Sequence, residues 1–138
     1  MDLAHHDLCF GCGPVNPFGL QLELERRDDG SVEGRFFVKQ DHQGPPGLAH
    51  GGILAAALDD AMSLAAGDAT RVAVTAELSV ELLAPAPVGA FVRVHAVVDR
   101  AEGRRCWASA TALPAEGEAP LARGTGVLVR FERPAGAG

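Results

Sequence analysis

Apolar and polar positions alternate along much of the chain, and this pattern predicts strands around a single helix. Segments 20–26 and 31–38 alternate on either side of an Asp-Asp-Gly turn, which predicts a hairpin. Residues 48–66 are rich in Ala and Leu and contain no Pro, so they predict a helix that stops at Gly67. Turns rich in Pro, Gly and Ala separate four further predicted strands, at 72–85, 91–100, 105–113 and 121–131.

The predicted helix is apolar on nearly all sides and therefore needs cover over most of its surface. A long antiparallel sheet that curls around the helix provides such cover. We therefore expect an α+β fold in which a curved antiparallel sheet of about five to six strands wraps around one long central helix. A sheet with the helix lying against one end fits the pattern almost as well.

Length and composition are those of one globular domain. The chain has 138 residues, of which 47% are apolar and 22% charged. No linker or repeat divides it, so we expect a single domain over residues 1–138. Within it, a Gly- and Pro-rich irregular segment occupies 1–19, and a flexible tail occupies 132–138.

Charge and cysteine usage narrow the function classes. A formal net charge of -6 without a basic cluster argues against binding to nucleic acid or to anionic membranes. The first ten residues do not resemble a secretion signal, and no apolar run is long enough to cross a membrane. Three cysteines are an odd set that does not indicate a secreted disulfide framework. We expect a cytoplasmic protein.

Two adjacent acids, Asp59 and Asp60, interrupt the predicted helix. Asp59 shares a face of small residues with Ala55 and Ser63, whereas Asp60 lies about 100° further round the helix. The two carboxylates therefore have different environments. We expect one of them to face a cleft and the other to face solvent or pair with an arginine.

The helix is preceded by His50, Gly51 and Gly52. Free amide groups at a helix N-terminus, with no side chain in front of them, offer a site for a carbonyl or oxyanion. A simple helix cap is the alternative. Since Gly51 and Asp59 are separated by roughly 12 Å of helix, either they have unrelated roles or they meet across a two-fold dimer interface.

The opening motif Cys-Phe-Gly-Cys-Gly raises the question of a metal. Cys9 and Cys12, with His5 and His6 nearby, have residue types that bind zinc. Tetrahedral binding would require a histidine to fold back over a very short span, so we favour two packed or partly exposed thiols and expect no metal. Cys106 lies in a predicted strand, and no partner histidine indicates a cysteine nucleophile.

Four stretches together resemble a known family. They are HGGILAAALDDAM, HQGPPGLA, VTAELSVELLAP and CFGCGPVNPFGL, and they are similar to hotdog-fold acyl-CoA thioesterases of the branch with phenylacetyl-CoA thioesterase and the thioesterase superfamily members. The resemblance implies that Asp59 is the general base or nucleophile. It implies that the backbone N–H of Gly51 from the opposite subunit is the oxyanion donor. Thr75, on the next strand, would help to position water.

The resemblance also implies the substrate and its contacts. The activity would be hydrolysis of a fatty or aryl acyl-CoA to free acid and CoA, by a homodimer or homotetramer without cofactor. His50 and Gly52 would contact the substrate, and Gln43 is a substitute for a polar amide that relatives often carry in this loop. Asp60 receives no catalytic role, and we expect it to be the solvent-side neighbour of Asp59. Three arginines that could meet CoA phosphates are left unassigned: Arg104, Arg105 and Arg123.

Two other functions remain open at this point. A hotdog enoyl-thioester hydratase would act on the acyl chain, but the chain lacks the His-Phe-Pro lead-in of that branch. A non-catalytic acyl-CoA-binding protein would keep the groove and lose the base, and the presence of Asp59 speaks against it. The acyl group itself is set by side chains lining a tunnel, which one sequence does not order.

Overall fold

The computed structural model describes residues 2–133, in which one antiparallel sheet surrounds one helix. The sheet has seven strands, and the first strand is only two residues long. The helix is α1, Gly51–Ala66. The strands are β1 Asp2–Leu3, β2 Glu23–Arg26, β3 Val32–Phe37, β4 Arg71–Leu82, β5 Phe91–Glu102, β6 Arg105–Pro114 and β7 Ala122–Glu132. Across the sheet they lie in the order β1-β2-β3-β5-β6-β7-β4. The predicted α+β architecture is confirmed.

The sheet curves around α1 and forms the core with it. The helix packs against strands β3 to β7, and its buried side chains include Leu58 and Met62. Two glycines of β7 allow this approach: a Cβ atom on Gly124 would lie 3.2 Å from Leu58, and one on Gly126 would lie 3.3 Å from Met62. Of the two packings that the sequence pattern allowed, the structure has the wrapped one.

β4 contains a β-bulge that changes which side chains face the helix. Its register with β7 shifts between Thr75 and Glu77. Ala73 and Thr75 lie on the helix side before the bulge, whereas Leu78 and Val80, opposite the two glycines of β7, lie on that side after it. The extra residue thus lets a polar threonine face α1 and still directs Glu77 outward.

The helix begins at Gly51, three residues later than predicted. The preceding Gly-Pro-Pro-Gly loop is closed by a bridge between Gln43 and Ala49, and this extended pairing excludes helical geometry before His50. At the other end of the chain, β7 includes Glu132, so this part of the predicted tail is a strand. The next residue, Arg133, donates its N–H to the carbonyl of Thr70 at 2.8 Å, and residues 134–138 of that tail lie outside the described residues.

The C-terminal end of α1 is capped by a side chain from β2. The guanidinium group of Arg26 donates to the carbonyl oxygens of Leu64 at 2.7 Å, Ala65 at 3.4 Å and Gly67 at 3.3 Å. The last turn of a helix leaves such carbonyls without intrahelical partners. No helix within residues 2–133 has the length and hydropathy that a membrane span requires.

Candidate active site

Asp59 and Thr75 meet between the helix and β4. The Thr75 hydroxyl donates to Asp59 Oδ1 at 2.5 Å, and both residues are half-buried. Thr75 reaches the carboxylate because the β-bulge follows it directly. Within the described part of the chain, no other side chain donates to this carboxylate. The other oxygen, Oδ2, is therefore left to accept a proton from a ligand or from water.

The flank of the site beside β4 is open. β4 is an edge strand that pairs only with β7, and its other side has no partner among the described residues. Leu78 and Leu82, on the helix side of this strand, are 43% and 54% exposed. Asp59 thus lies beside an apolar surface that its own chain covers only in part.

The helix N-terminus has one uncommitted amide. His50 is the N-cap residue, and its Nδ1 accepts the N–H of Gly52 at 2.9 Å. Its carbonyl accepts the N–H of Ile53 at 2.9 Å. Among residues 2–133, none accepts the N–H of Gly51. A Cβ on Gly51 would lie 2.6 Å from a methyl group of Leu82, so this amide borders the open flank.

The loop before the helix is fixed by its own side chains. Gln43 Oε1 accepts from Gly47 N at 2.7 Å, and Gln43 Nε2 donates to Gln40 O at 2.9 Å. The carbonyl of buried His42 accepts the N–H of His50 at 2.8 Å. Burial lowers the pKa of His42, which favours the neutral imidazole that accepts from Lys39 N. Sequence reasoning missed His42, whose only signal was its place just before the loop.

The expectation that Asp60 faces solvent is wrong. Asp60 is 7% exposed, and its Oδ1 lies 3.2 Å from His5 Nδ1 and 3.3 Å from Cys9 Sγ. The reason is that the N-terminal segment folds over this side of α1. His5 does fold back over the short span to Cys9 and Cys12, contrary to expectation. Asp59 and Asp60 therefore both face protein, on different sides of the helix.

The three arginines considered for CoA phosphates lie on the far side of the sheet or in turns. The Arg104 guanidinium stacks over the Phe131 ring at 5.4 Å, which is a cation–π contact. Arg105 and Arg123 are exposed strand residues. No contact in the described chain singles out one of them as an anion ligand.

The architecture is a hotdog fold, a curved antiparallel sheet around one central helix, with the Asp59–Thr75 pair beside the helix. Residues 46–118, just over half of the chain, match the family model described as thioesterase superfamily. The chain therefore belongs to the thioesterase superfamily, as its resemblance predicts.

Individual relatives agree with this family. Acyl-coenzyme A thioesterase THEM4 of Bos taurus is 29% identical over 90 residues, which are 65% of this chain and 37% of the bovine protein. This chain thus spans little more than a third of that relative. The crystal structure of RHA08564, a thioesterase superfamily protein, superposes with a TM-score of 0.75 at 30% identity, over 85% of this chain and 60% of that one. The structure of BH2602 from Bacillus halodurans, solved with CoA, superposes with a TM-score of 0.72 at 28% identity. The match covers 83% of this chain and 77% of that one.

Proposed function

We propose that this protein is an acyl-CoA thioesterase that hydrolyses a fatty or aryl acyl-CoA to free acid and CoA, with Asp59 as its reactive carboxylate. The hydrogen bond from Thr75 to Asp59 carries this proposal, because it orients a half-buried carboxylate at an open apolar flank. The family supports the reaction class, and the CoA bound to the Bacillus halodurans protein supports a CoA ester as substrate.

The reaction adds one water molecule across the thioester. Asp59 removes a proton from water as the hydroxide oxygen bonds to the acyl carbon, and the carbon–sulfur bond then breaks. The departing thiolate takes the proton back from Asp59. In the alternative, Asp59 attacks the acyl carbon itself, and water cleaves the resulting anhydride. Both routes give free acid and CoA thiol, and in both Thr75 holds the carboxylate in place.

The developing oxyanion needs a hydrogen-bond donor, and the Gly51 N–H is suited to this role. It lies at the positive end of the helix dipole and has no acceptor in the described chain. Eight residues of helix separate it from Asp59 of the same subunit, roughly 12 Å, which is too far to serve one acyl carbon. The donor to each site therefore comes from a second subunit.

A homodimer through the β4 flank brings the two halves together. The unpaired edge of β4 offers main-chain donors and acceptors, and Leu78 and Leu82 offer exposed apolar surface. A two-fold axis at this surface gives two identical sites per dimer. Pairing of two dimers into a tetramer is a further step of the same proposal.

The loop and the cap complete the site in this proposal. His50 fixes the helix start and lies at the substrate entrance, and Gly52 leaves space there because it has no side chain. Gln43 accepts the N–H of Gly47 and so fixes the loop before the helix. In this proposal it affects the substrate indirectly, because the loop positions His50. No cofactor takes part in this hydrolysis. Three free thiols fit a reducing, cytoplasmic compartment, which we propose as the location.

The test is release of free CoA thiol from a panel of short, medium, long and aryl acyl-CoA esters. We expect turnover of at least one ester, and a fall in kcat of about 10²–10⁴-fold in Asp59→Asn, since this is the usual contribution of a positioned base. Asp99→Asn, which changes an exposed acid on β5, is the matched control and should keep the wild-type rate.

Three results would contradict the proposal. Acyl-CoA binding without thiol release from any ester would indicate the non-catalytic binding protein instead. Turnover that is equal in the wild type and Asp59→Asn would exclude Asp59 as the reactive group. Hydration of an enoyl-CoA without thiol release would assign the chain to the hydratase class.

A further inference from the structure

Four side chains with metal-binding atoms converge on the face of α1 that carries Asp60, about 100° round the helix from Asp59. His5, Cys9 and Cys12 come from the N-terminal segment, and Asp60 comes from the helix. One nitrogen, two sulfurs and one oxygen from these residues all lie within 4.8 Å of one another. This group, called here the His5 cluster, is separate from the proposed active site.

The spacing within the His5 cluster suits a tetrahedral cation. His5 Nδ1 lies 3.2 Å from Cys12 Sγ, 3.4 Å from Cys9 Sγ and 3.2 Å from Asp60 Oδ1. Cys9 Sγ lies 3.3 Å from Asp60 Oδ1. Around a tetrahedral zinc ion, the bond lengths to sulfur, nitrogen and oxygen give separations between ligand atoms of about 3.3–3.8 Å. A cation therefore fits between these atoms after shifts of a few tenths of an ångström to about one ångström.

In its neutral form, His5 has Nδ1 free to bind a cation. The Ser63 hydroxyl donates its only proton to the carbonyl of Ala73 at 2.7 Å. Its oxygen must therefore accept from His5 Nε2, 3.0 Å away, so the ring proton is on Nε2. Histidines that bind metals are usually held in this way by a hydrogen bond to the other ring nitrogen.

Burial leaves one oxygen of the His5 cluster without a hydrogen-bond partner in the described chain. Asp60 Oδ2 is buried and has no hydrogen-bond partner among the described residues. Cys12 is 3% exposed and lies beside this carboxylate. A bound divalent cation reverses this situation, because it neutralises the carboxylate and draws protons off both thiols. The backbone N–H of His5, 3.1 Å from Cys12 Sγ, further stabilises a thiolate.

The backbone between the two cysteines is shaped for this contact. A Cβ on Gly11 would lie 2.3 Å from Asp60 Cγ, so only glycine at this position lets the carboxylate approach the sulfurs. The Gly11 carbonyl also accepts the N–H of Leu22, which joins the segment to the start of the sheet. The Cys-Phe-Gly-Cys-Gly motif therefore places its thiols against Asp60.

We propose that His5, Cys9, Cys12 and Asp60 bind one zinc-class divalent cation, which fastens the N-terminal segment to α1. Two thiolates with one imidazole and one carboxylate favour zinc over magnesium or calcium, which prefer oxygen ligands. All four positions are taken by protein, as in structural zinc sites. The cation therefore has no place in the hydrolysis, and this inference stands whether or not the proposed function holds.

The test is a titration of the reduced, chelator-treated protein with cobalt(II) and then zinc, in a phosphine reductant that does not supply thiols. We expect the visible absorption of tetrahedral thiolate-bound cobalt, saturating at one ion per chain and abolished by one equivalent of zinc. Cys9→Ser and Asp60→Asn should lose this signature. Ser63→Ala, which keeps all four ligands, should weaken zinc binding about 10–100-fold.

Matched controls separate this site from folding and from catalysis. His6→Ala and Cys106→Ala change the residue types of the cluster at places outside it, and both should bind one cobalt ion with the wild-type spectrum. Asp59→Asn should also bind it fully. No tetrahedral spectrum in the folded wild-type protein would overturn the proposal, as would equal binding by Asp60→Asn and His6→Ala. A Cys9–Cys12 disulfide that survives the reductant would overturn it as well.

Discussion

At the scale of single residues, two neighbouring acids have different roles because a helix turns by about 100° per residue. Asp59 points to β4, where the Thr75 hydroxyl donates to it, and Asp60 points to the N-terminal segment. The spacing alone predicts that the two environments differ. It does not predict that Asp60 is buried, because its partners are 51 and 55 residues away in the sequence.

Thr75 is expected to support catalysis through Asp59. Thr75→Val keeps the shape of the side chain and removes the hydroxyl, so the carboxylate loses its one side-chain donor in the described chain. A hydrogen bond to a charged group contributes about 1.5–3 kcal/mol, and we expect kcat to fall about 10–100-fold with a small change in KM. Steady-state thiol release measures both constants. Thr75→Ser retains the hydroxyl and should stay within a few-fold of wild type; a loss as large as in the valine variant would contradict this role.

At the scale of elements, α1 depends on groups outside its own sequence at both ends. Its last turn contains no basic residue, and Arg26 of β2 supplies the cation that the C-terminal carbonyls favour. His50 caps the first turn with its imidazole. The helix starts at Gly51 because of the glycines and prolines that precede it in the sequence. The contact of Arg26 with the helix end arises only because the sheet places β2 beside that end.

Removal of the Arg26 cap should destabilise the protein. Arg26→Met keeps much of the aliphatic length and leaves the carbonyls of Leu64 and Gly67 without their donor. We expect the free energy of unfolding to fall by about 1–2 kcal/mol. Urea unfolding at fixed protein concentration measures this change.

The adjacent Arg27 provides the control for this cap. It forms an exposed ion pair with Glu33 and does not contact the helix end. Arg27→Met should change stability by less than about 0.5 kcal/mol, because exposed ion pairs contribute little. Equal effects of the two substitutions would show that the cap does not stabilise α1.

At the scale of the whole molecule, the proposed site requires two subunits, and Gly51 allows a direct test. Gly51 is the first helical residue, and the residue before it, His50, has φ -62° and ψ 139°, which are compatible with a following proline. Gly51→Pro therefore removes the N–H with little effect on the helix. We expect kcat to fall about 10²–10³-fold, the usual effect of losing one oxyanion donor. Gly51→Ala also places a Cβ atom against Leu82 but keeps the N–H. It should therefore be more active than Gly51→Pro.

Mixed dimers reveal which subunit supplies the amide. A dimer of one Asp59→Asn and one Gly51→Pro subunit has one doubly defective site and one intact site if each site spans both chains. Exchange of the two inactive variants should then restore activity, towards half of the wild-type value per mixed dimer. Activity that stays at the level of the separate variants, although subunit exchange is verified, would place both groups of each site in one chain.

The sequence alone determined six of the seven strands, the single α-helix and the membership of the thioesterase superfamily, because these depend on local periodicity and on contiguous motifs. The two-residue strand β1 lies in the segment expected to be irregular, because a strand this short has no periodicity to detect. It also identified Asp59, Gly51 and Thr75 as residues of interest, and the structure brings the first and last of these into contact. The β-bulge of β4 lets Thr75 face the helix and still keeps the apolar residues after it on the helix side.

Only the tertiary structure decided where the N-terminal segment lies. Cys9 and Cys12 lie four and seven residues from His5 in the sequence, whereas the fourth member of the cluster, Asp60, lies 51 residues from Cys9. A sequence pattern reports the chemistry of a segment and its local spacing, whereas the contact between segments is set by packing of the whole core. For this reason Asp60 was assigned to solvent from the sequence, and the structure placed it in a buried cluster with two thiols and an imidazole.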